Sequence, residues 1–251
     1  VHPPIDIFDM TETNTWKIQH LTDLDIDRLL AEGKIDRPPQ VIFLDAVGTL
    51  FGISEPVGWV YAKFAEKYGV SVDRDCLDMA FYKTFKNAPP CTFPELTETE
   101  IPAAEYRWWA TICRETFKEC DVKSEFANFD IFFSDLYNYF TTDLAWKIYP
   151  ETITALKKWQ QKGIELGVLS NFDTRLLTVL KILNISQYFQ SVTISSLVGA
   201  AKPGKKVFQT ALTAHRCLSE NAWHVGDSWR EDIEGALAAG LMAIEIDRSS
   251  H

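Results

Sequence analysis

The chain has 251 residues, 46% of them hydrophobic and 24% charged, with a formal net charge of −10. Such a chain can bury a sizeable core, which excludes a disordered polypeptide, and no apolar run approaches the roughly 18 to 20 residues of a membrane span. The negative charge opposes diffuse attraction to nucleic acid or anionic lipid, so neither is expected as a partner, and any anionic ligand must be held locally.

Five cysteines, at 76, 91, 113, 120 and 217, form no CxxC pair, and their odd number leaves one unpaired; the spacing reads as a reducing cytosol. No basic stretch followed by an apolar one opens the chain. Because it starts at Val1, an organelle stroma or matrix after removal of a targeting segment is the alternative to a cytoplasmic location.

Residues 1–40 are polar and acidic, bounded by Pro3-Pro4 and Pro38-Pro39. They read as an arm laid on the main body, with one short helix in "TDLDIDRLLAEGK". Thr22 or Asp23 would cap it, Leu29 and Leu30 would dock, and Gly33 would end it. The alternative is an arm that displays Trp16 and Ile18 to a protein partner. From Val41 apolar strands alternate with helical patterns, the signature of a doubly wound α/β parallel sheet. Five strands are predicted, at 41–44, 165–169, 191–194, 222–225 and 242–246, with helices near 151–162, 174–184, 204–214 and 230–239. Between the first two strands lie about a hundred residues of helical pattern, far beyond an ordinary connection. The chain therefore divides into the arm, an α/β core of 41–52 and 150–251, and a helical insert of 53–149. In the insert Val57, Val60, Tyr61 and Phe64 recur at helical spacing, and Trp108, Trp109, Phe132, Phe133, Tyr137 and Phe140 are expected to form its core. Its hinges are placed at 52–56 and 148–150, where closure would gate water.

In open parallel sheets reactive groups collect beyond the carboxyl ends of strands. There stand Asp45, then Ser170-Asn171, then Lys202-Pro203, then Gly226-Asp227 with Asp232 further on. Each alone reads equally well as a turn or cap residue. Together, in chain order, they supply a nucleophile, a hydroxyl, a cation and carboxylates for a metal. A carboxylate can attack phosphorus once a divalent cation screens the repulsion, and Mg²⁺ takes hard oxygen ligands. Asp45 is the candidate nucleophile and, with Asp227, a candidate Mg²⁺ ligand. Ser170 and Lys202 would steady the transferring phosphoryl group. His224, inside a strand, and His215, at a helix end, read as structural.

These motifs, "LDAVGTL", "VLSNFD", "GAAKPG" and "VGDSWRED", resemble those of the haloacid dehalogenase-like hydrolase superfamily over residues 41–246. The insert is similar to that family's helical cap of the first type. "DAVGTL" with "SNFD" looks most like the branch named for a rhythmically expressed fly gene. The resemblance implies a small phosphorylated substrate bound by Thr49, Ser170, Asn171 and Lys202, and adds the Val47 carbonyl and Asp232 as metal ligands. It also exposes a departure. The family's phosphatases carry at position 47 a second Asp that protonates the leaving oxygen and then activates water. General acid–base help of this kind is typically worth about 10²- to 10⁴-fold, and valine cannot give it.

Three readings follow: a Mg²⁺-dependent phosphohydrolase, slow or borrowing an acid such as Glu55 or Tyr61 from the cap; a carbon–halogen or carbon–phosphorus hydrolase; or a binding or regulatory protein with little turnover. Carbon–phosphorus cleavage would need a cap lysine, and none of Lys63, Lys67, Lys83 and Lys86 identifies itself.

Overall fold

The apolar run "VIFL" offers water no polar face, and the fold buries both of its sides. Ile42 and Leu44 belong to one hydrophobic cluster, Val41 and Phe43 to another on the opposite face. This period of two is that of a central strand covered by helices on both sides. The computed structural model describes residues 15–122 and 126–248. Its strands in chain order are β1 (Thr15–Ile18), β2 (Val41–Leu44), β3 (Phe51–Ile53), β4 (Trp146–Ile148), β5 (Glu165–Ser170), β6 (Ser191–Ile194), β7 (Ala222–Gly226) and β8 (Met242–Ile246). Six of them form one sheet in the order β1-β8-β7-β2-β5-β6, paired in parallel throughout. The chain winds outward from β2 through β5 to β6, then returns to β7 on the other side of β2. That reversal opens a crevice at the carboxyl end of β2.

The helices are α1 (Ile26–Ala31), α2 (Val57–Lys67), α3 (Arg74–Asn87), α4 (Ile101–Glu119), α5 (Phe129–Tyr139), α6 (Thr152–Gln161), α7 (Leu176–Ile182), α8 (Ser195–Val198), α9 (Lys205–Ala214) and α10 (Gly235–Ala238). Leu29, Leu156, Trp159, Leu176 and Val179 cover one face of the sheet, and Val207, Phe208, Ala211 and Ala236 cover the other.

The sheet has one strand more than expected. Thr15–Ile18 adds in register to β8, with Trp16 beside Ile244 and Ile18 beside Ile246. Trp16 and Ile18 are each only 1% exposed, and Trp16 meets Trp223 edge-on at 5.3 Å. Display of these two side chains to a partner is thereby corrected: burying large apolar groups, at roughly 1.5–3 kcal/mol each, favours the sheet over water. Pro3-Pro4 lies outside the described residues. In α1 the cap is Asp25, which accepts from Asp27 N (3.1 Å) and Arg28 N (3.3 Å), rather than Thr22 or Asp23. Asp23 instead ties the preceding turn by accepting from His20 N at 2.7 Å.

Helices α2 to α5 pack around a core of their own, including Val60, Tyr61, Phe64, Leu77, Phe81, Phe117, Phe132 and Phe133. The two passages between this bundle and the sheet run side by side, because β3 and β4 pair antiparallel with Phe51 opposite Ile148 and Ile53 opposite Trp146. Cys76 in α3 and Cys120 just beyond α4 are joined in a disulfide across a sequence separation of 44. The inference of a reducing compartment from the cysteines loses support, since two of them are joined; Cys91, Cys113 and Cys217 are free. No helix among the described residues is long and apolar enough to cross a membrane.

Candidate active site

Asp45 follows β2 directly, and its backbone N–H donates to Val225 O of β7 (2.9 Å), which fixes the start of the turn at the crevice. The turn then needs Gly48: its φ is +88°, and a Cβ there would stand 2.3 Å from Asp227 Oδ2. Gly226 is required for the same closeness, since a Cβ on it would stand 2.1 Å from Asp232 Cγ. Asp227 and Asp232 come from one short stretch because the segment Trp229–Glu234 winds as a π-helix before α10. Such wide turns recur at functional sites. Here the turn is pinned by Ser228 N donating to Asp232 Oδ2 (3.0 Å).

Lys202 reaches in from the loop after α8 and is the hub. Its Nζ donates to Asp45 Oδ1 at 2.7 Å and to Asp232 Oδ1 at 2.5 Å, and its side chain is 1% exposed. Burial alone would favour loss of its proton, but the carboxylates of Asp232 and Asp45 outweigh that and hold Lys202 well above the usual lysine range. Burial opposes ionisation of Asp232, yet Lys202 and then His224 draw it below the usual carboxylate range. Asp45 goes the other way: burial pushes it up and the charge of Asp232 adds to this, against the pull of Lys202. Asp227 stands at the open side of the group. Crowding of its carboxylate by protein atoms, and then the nearby charges of Asp45 and Asp232, push it up to about 7.

One oxygen each of Asp45, Asp227 and Asp232 lies within 4.8 Å of the others. Three carboxylates against one ammonium leave negative charge in excess in a water-poor crevice, and hard oxygens are what Mg²⁺ takes. The donor set and the close approach of Gly48 to Asp227 therefore fit a small divalent cation. Asp232 is the least free of the three, since its two oxygens already accept from Lys202, His224 Nε2 (2.8 Å) and Ser228.

Ser170 ends β5 and is 3% exposed. Asn171, expected to touch substrate, is engaged elsewhere: its Oδ1 accepts from Lys202 N (2.8 Å) and its Nδ2 donates to Lys202 O (3.0 Å) and Glu231 Oε2 (2.9 Å). It brackets the lysine. Thr49 is fully buried, and its Oγ1 has no hydrogen-bond partner. Val47 is half-buried and packs against the hydrophobic cluster of the core.

The substitute acids fare differently. Tyr61 lies in the core of the helical bundle, stacked on Phe117 and edge-on to Phe81, and burial pushes its hydroxyl well above the ordinary tyrosine range. It is corrected from acid to core residue. Glu55 is exposed, 3.9 Å from Lys63. Lys63, Lys67, Lys83 and Lys86 are all exposed, whereas a Schiff-base lysine needs a desolvated site.

Sequence reasoning missed several groups. His224 belongs to the site through Asp232, a link that only the fold reveals. Glu231 sat inside "GDSWRED", read only at its ends. A second cluster joins the bundle to the loop after Ser170. Trp109 Nε1 donates to Asp173 Oδ2 (2.6 Å), Arg175 grips both oxygens of Asp173 (2.9 and 2.6 Å), and Glu105 accepts from Thr174 N (2.9 Å) and Thr174 Oγ1 (2.5 Å). Trp109, expected in the bundle core, thus spans the boundary between bundle and sheet.

The profile of haloacid dehalogenase-like hydrolases matches residues 39–240. Haloacid dehalogenase-like hydrolase domain-containing protein 3 of Mus musculus is 30% identical over 197 residues, 78% of this chain and 77% of that protein. A glyceraldehyde 3-phosphate phosphatase of Methanothermobacter thermautotrophicus is 37% identical over 100 residues, 39% of this chain and 44% of that one. Among solved structures, an HAD phosphatase from Thermococcus onnurineus matches with a TM-score of 0.58 at 23% identity, covering 84% of this chain and 88% of that one. With an acidic nucleophile candidate, a buried lysine and paired carboxylates assembled at the switch point of a parallel sheet, the chain belongs to the haloacid dehalogenase-like hydrolases.

Proposed function

We propose that the protein is a Mg²⁺-dependent phosphohydrolase acting through an aspartyl-phosphate on a small phosphorylated metabolite, without the usual acid at position 47. The observation that carries this reading is the ammonium of Lys202 shared between Asp45 and Asp232, beside the exposed carboxylate of Asp227. The phosphatase activity named for the archaeal relative supports it. Asp45, Asp227 and the Val47 carbonyl would hold Mg²⁺, which when bound supplies the positive charge that lets two anions meet.

In the first half-reaction an oxygen of Asp45 forms a bond to phosphorus as the bond to the leaving oxygen breaks. Lys202 neutralises charge on the transferring group and Ser170 donates a hydrogen bond to it. The leaving oxygen takes its proton from water, because Val47 has none to give. In the second, water adds to phosphorus, the bond to Asp45 breaks, and phosphate leaves with the carboxylate restored. No carboxylate at position 47 assists that water, so the covalent intermediate outlives its equivalent in a fully equipped enzyme. Helix α4 is held against the loop after Ser170 by Glu105 and Trp109.

The test is phosphate release from alkyl, aryl and acyl phosphates with Mg²⁺, with intact mass read on each sample. Expected are release that is strongest for good leaving groups, a mass one phosphoryl group heavier, and loss of both in Asp45→Asn. Val47→Asp should shorten the life of the adduct and speed turnover by about 10²-fold. A second reading is favoured by the packing of Val47 into the core cluster: a phosphate-binding protein with little turnover. Binding of phosphate and Mg²⁺ without any adduct, across the whole panel, would establish it in place of the first.

A further inference from the structure

Arg248, two residues beyond β8, carries no motif and takes no part in the chemistry above, yet its guanidinium is used on every side. Nη2 donates to Thr49 O (2.8 Å), Nε to Gly48 O (3.3 Å) and Nη1 to Glu151 Oε1 (2.5 Å). Its plane lies over the ring of Tyr149, 3.7 Å from the centroid. The side chains of Arg248 and Glu151 are 13% and 12% exposed, so the pair is largely withdrawn from water. Glu151 also accepts a hydrogen bond from the Leu21 backbone.

The two carbonyls that Arg248 holds belong to the turn that begins at Asp45. On its other side that turn meets the site, because Gly48 lies so near Asp227 that a Cβ would stand 2.3 Å from Oδ2. The turn has other ties: Gly48 N donates to Phe51 O (2.8 Å), and Leu50 O accepts from Thr152 Oγ1 (2.8 Å). Among the described residues, Arg248 alone donates from its side chain to the carbonyls of Gly48 and Thr49. Tyr149 and Glu151, which orient the guanidinium, stand directly after β4, at the passage between bundle and sheet.

We infer that Arg248 is a positioning residue: by fixing the Gly48 and Thr49 carbonyls it sets the gap between Asp45 and Asp227, and so the fit of the acidic site to a small divalent cation. Mg²⁺ demands near-ideal octahedral geometry, so a turn displaced by a fraction of an ångström is felt as weaker binding. Arginine is required because its planar fork meets two carbonyls and a carboxylate at once, whereas lysine presents a single point of charge. The inference rests on the reading of Asp45 and Asp227 as the metal and phosphoryl site.

The experiment is calorimetric titration of the full chain with Mg²⁺ in the absence of substrate, alongside Arg248→Ala, Arg248→Lys and Glu151→Gln, with melting curves for each. Outer partners of metal ligands typically contribute about 10- to 100-fold in affinity or activity, so the Mg²⁺ dissociation constant is expected to rise about 10-fold in Arg248→Ala and by less in the other two. With a phosphate ester as substrate, kcat should fall with it while KM at saturating Mg²⁺ stays within about 2-fold, the pattern of lost organisation rather than lost substrate contact. A folded Arg248→Ala protein with wild-type Mg²⁺ affinity overturns the inference. Should that variant fail to fold, wild-type affinity in both Arg248→Lys and Glu151→Gln does the same. If the wild-type chain binds Mg²⁺ but hydrolyses nothing, the proposed function falls while the titrations still decide the role of Arg248. A wild-type chain that binds no Mg²⁺ overturns both.

Discussion

Two charge clusters stand near the carboxyl end of the sheet, one on the loop after β5 and one formed by residues that follow β2, α8 and β7, and they are built on opposite principles. At Asp173, Arg175 and Glu105 each carboxylate oxygen has a donor: Arg175 and Trp109 serve Asp173, and Thr174 serves both oxygens of Glu105. At Asp45, Asp227 and Asp232 one lysine faces three carboxylates, and only Asp232 is fully engaged. A buried charge network whose members are all satisfied rigidifies what it joins. One with more carboxylates than cations offers oxygens that a cation can take, and at its open side crowding and the charges of Asp45 and Asp232 push Asp227 up to about 7. The difference separates a fastening from the proposed reaction centre more sharply than burial does, since Glu105 and Asp232 are about equally hidden.

The contrast can be broken at either end. The largest effect is expected for Lys202→Met, which leaves Asp45 and Asp232 buried without their ammonium. Phosphate release should drop to background, and stability should fall by about 3–5 kcal/mol in urea unfolding; a variant that kept its turnover would show that the lysine is structural only. Glu105→Ala should be milder. It strands the amide and hydroxyl of Thr174, at a cost of about 1–3 kcal/mol, and hydrogen exchange should quicken at residues 172–175. Unchanged exchange there would mean that the bundle is held by its apolar contacts alone. The smallest effect is that of a surface ion pair, used as a control. Lys158 Nζ lies 2.7 Å from Asp25 Oδ2 and, with the Arg28 N–H, holds Asp25 below the usual carboxylate range. A depressed carboxylate contributes stability above its unfolded pKa of about 4 and loses it as pH falls through the folded value. Lys158→Met should therefore cost at most about 1 kcal/mol at neutral pH, and its melting temperature should converge on that of the wild type in acid.

Much of this was legible in the residues because the relevant signals are local. Asp45 and Asp227 directly follow apolar strands and Ser170 closes one, whereas Lys202 and Asp232 were read by their order in the chain. The second cluster was not legible, because its pairs are 64 and 69 residues apart in sequence and the bundle must already be docked for them to meet. Strand β1 was missed for a related reason: four residues with two apolar side chains carry little signal until β8 offers them an edge. The disulfide escaped because no spacing rule links positions 76 and 120. His224 had a position that could be read but a partner that could not, since only the π-helical turn brings Asp232 to its Nε2.

Strand β1 has a further consequence, for how the molecule behaves in a crowd. A sheet that ended at β8 would present the unpaired backbone of a five-residue strand backed by Trp223, a ready template for a strand of another molecule. With β1 in place, both margins of the sheet are strands of only four residues. The outer one carries Lys17, held 2.8 Å from Asp247. Short margins and a lysine are the devices by which β-sheets resist self-association. The segment is thus a seal as much as a strand, and a proteolytic cut that released it would turn a self-contained fold into one prone to aggregate.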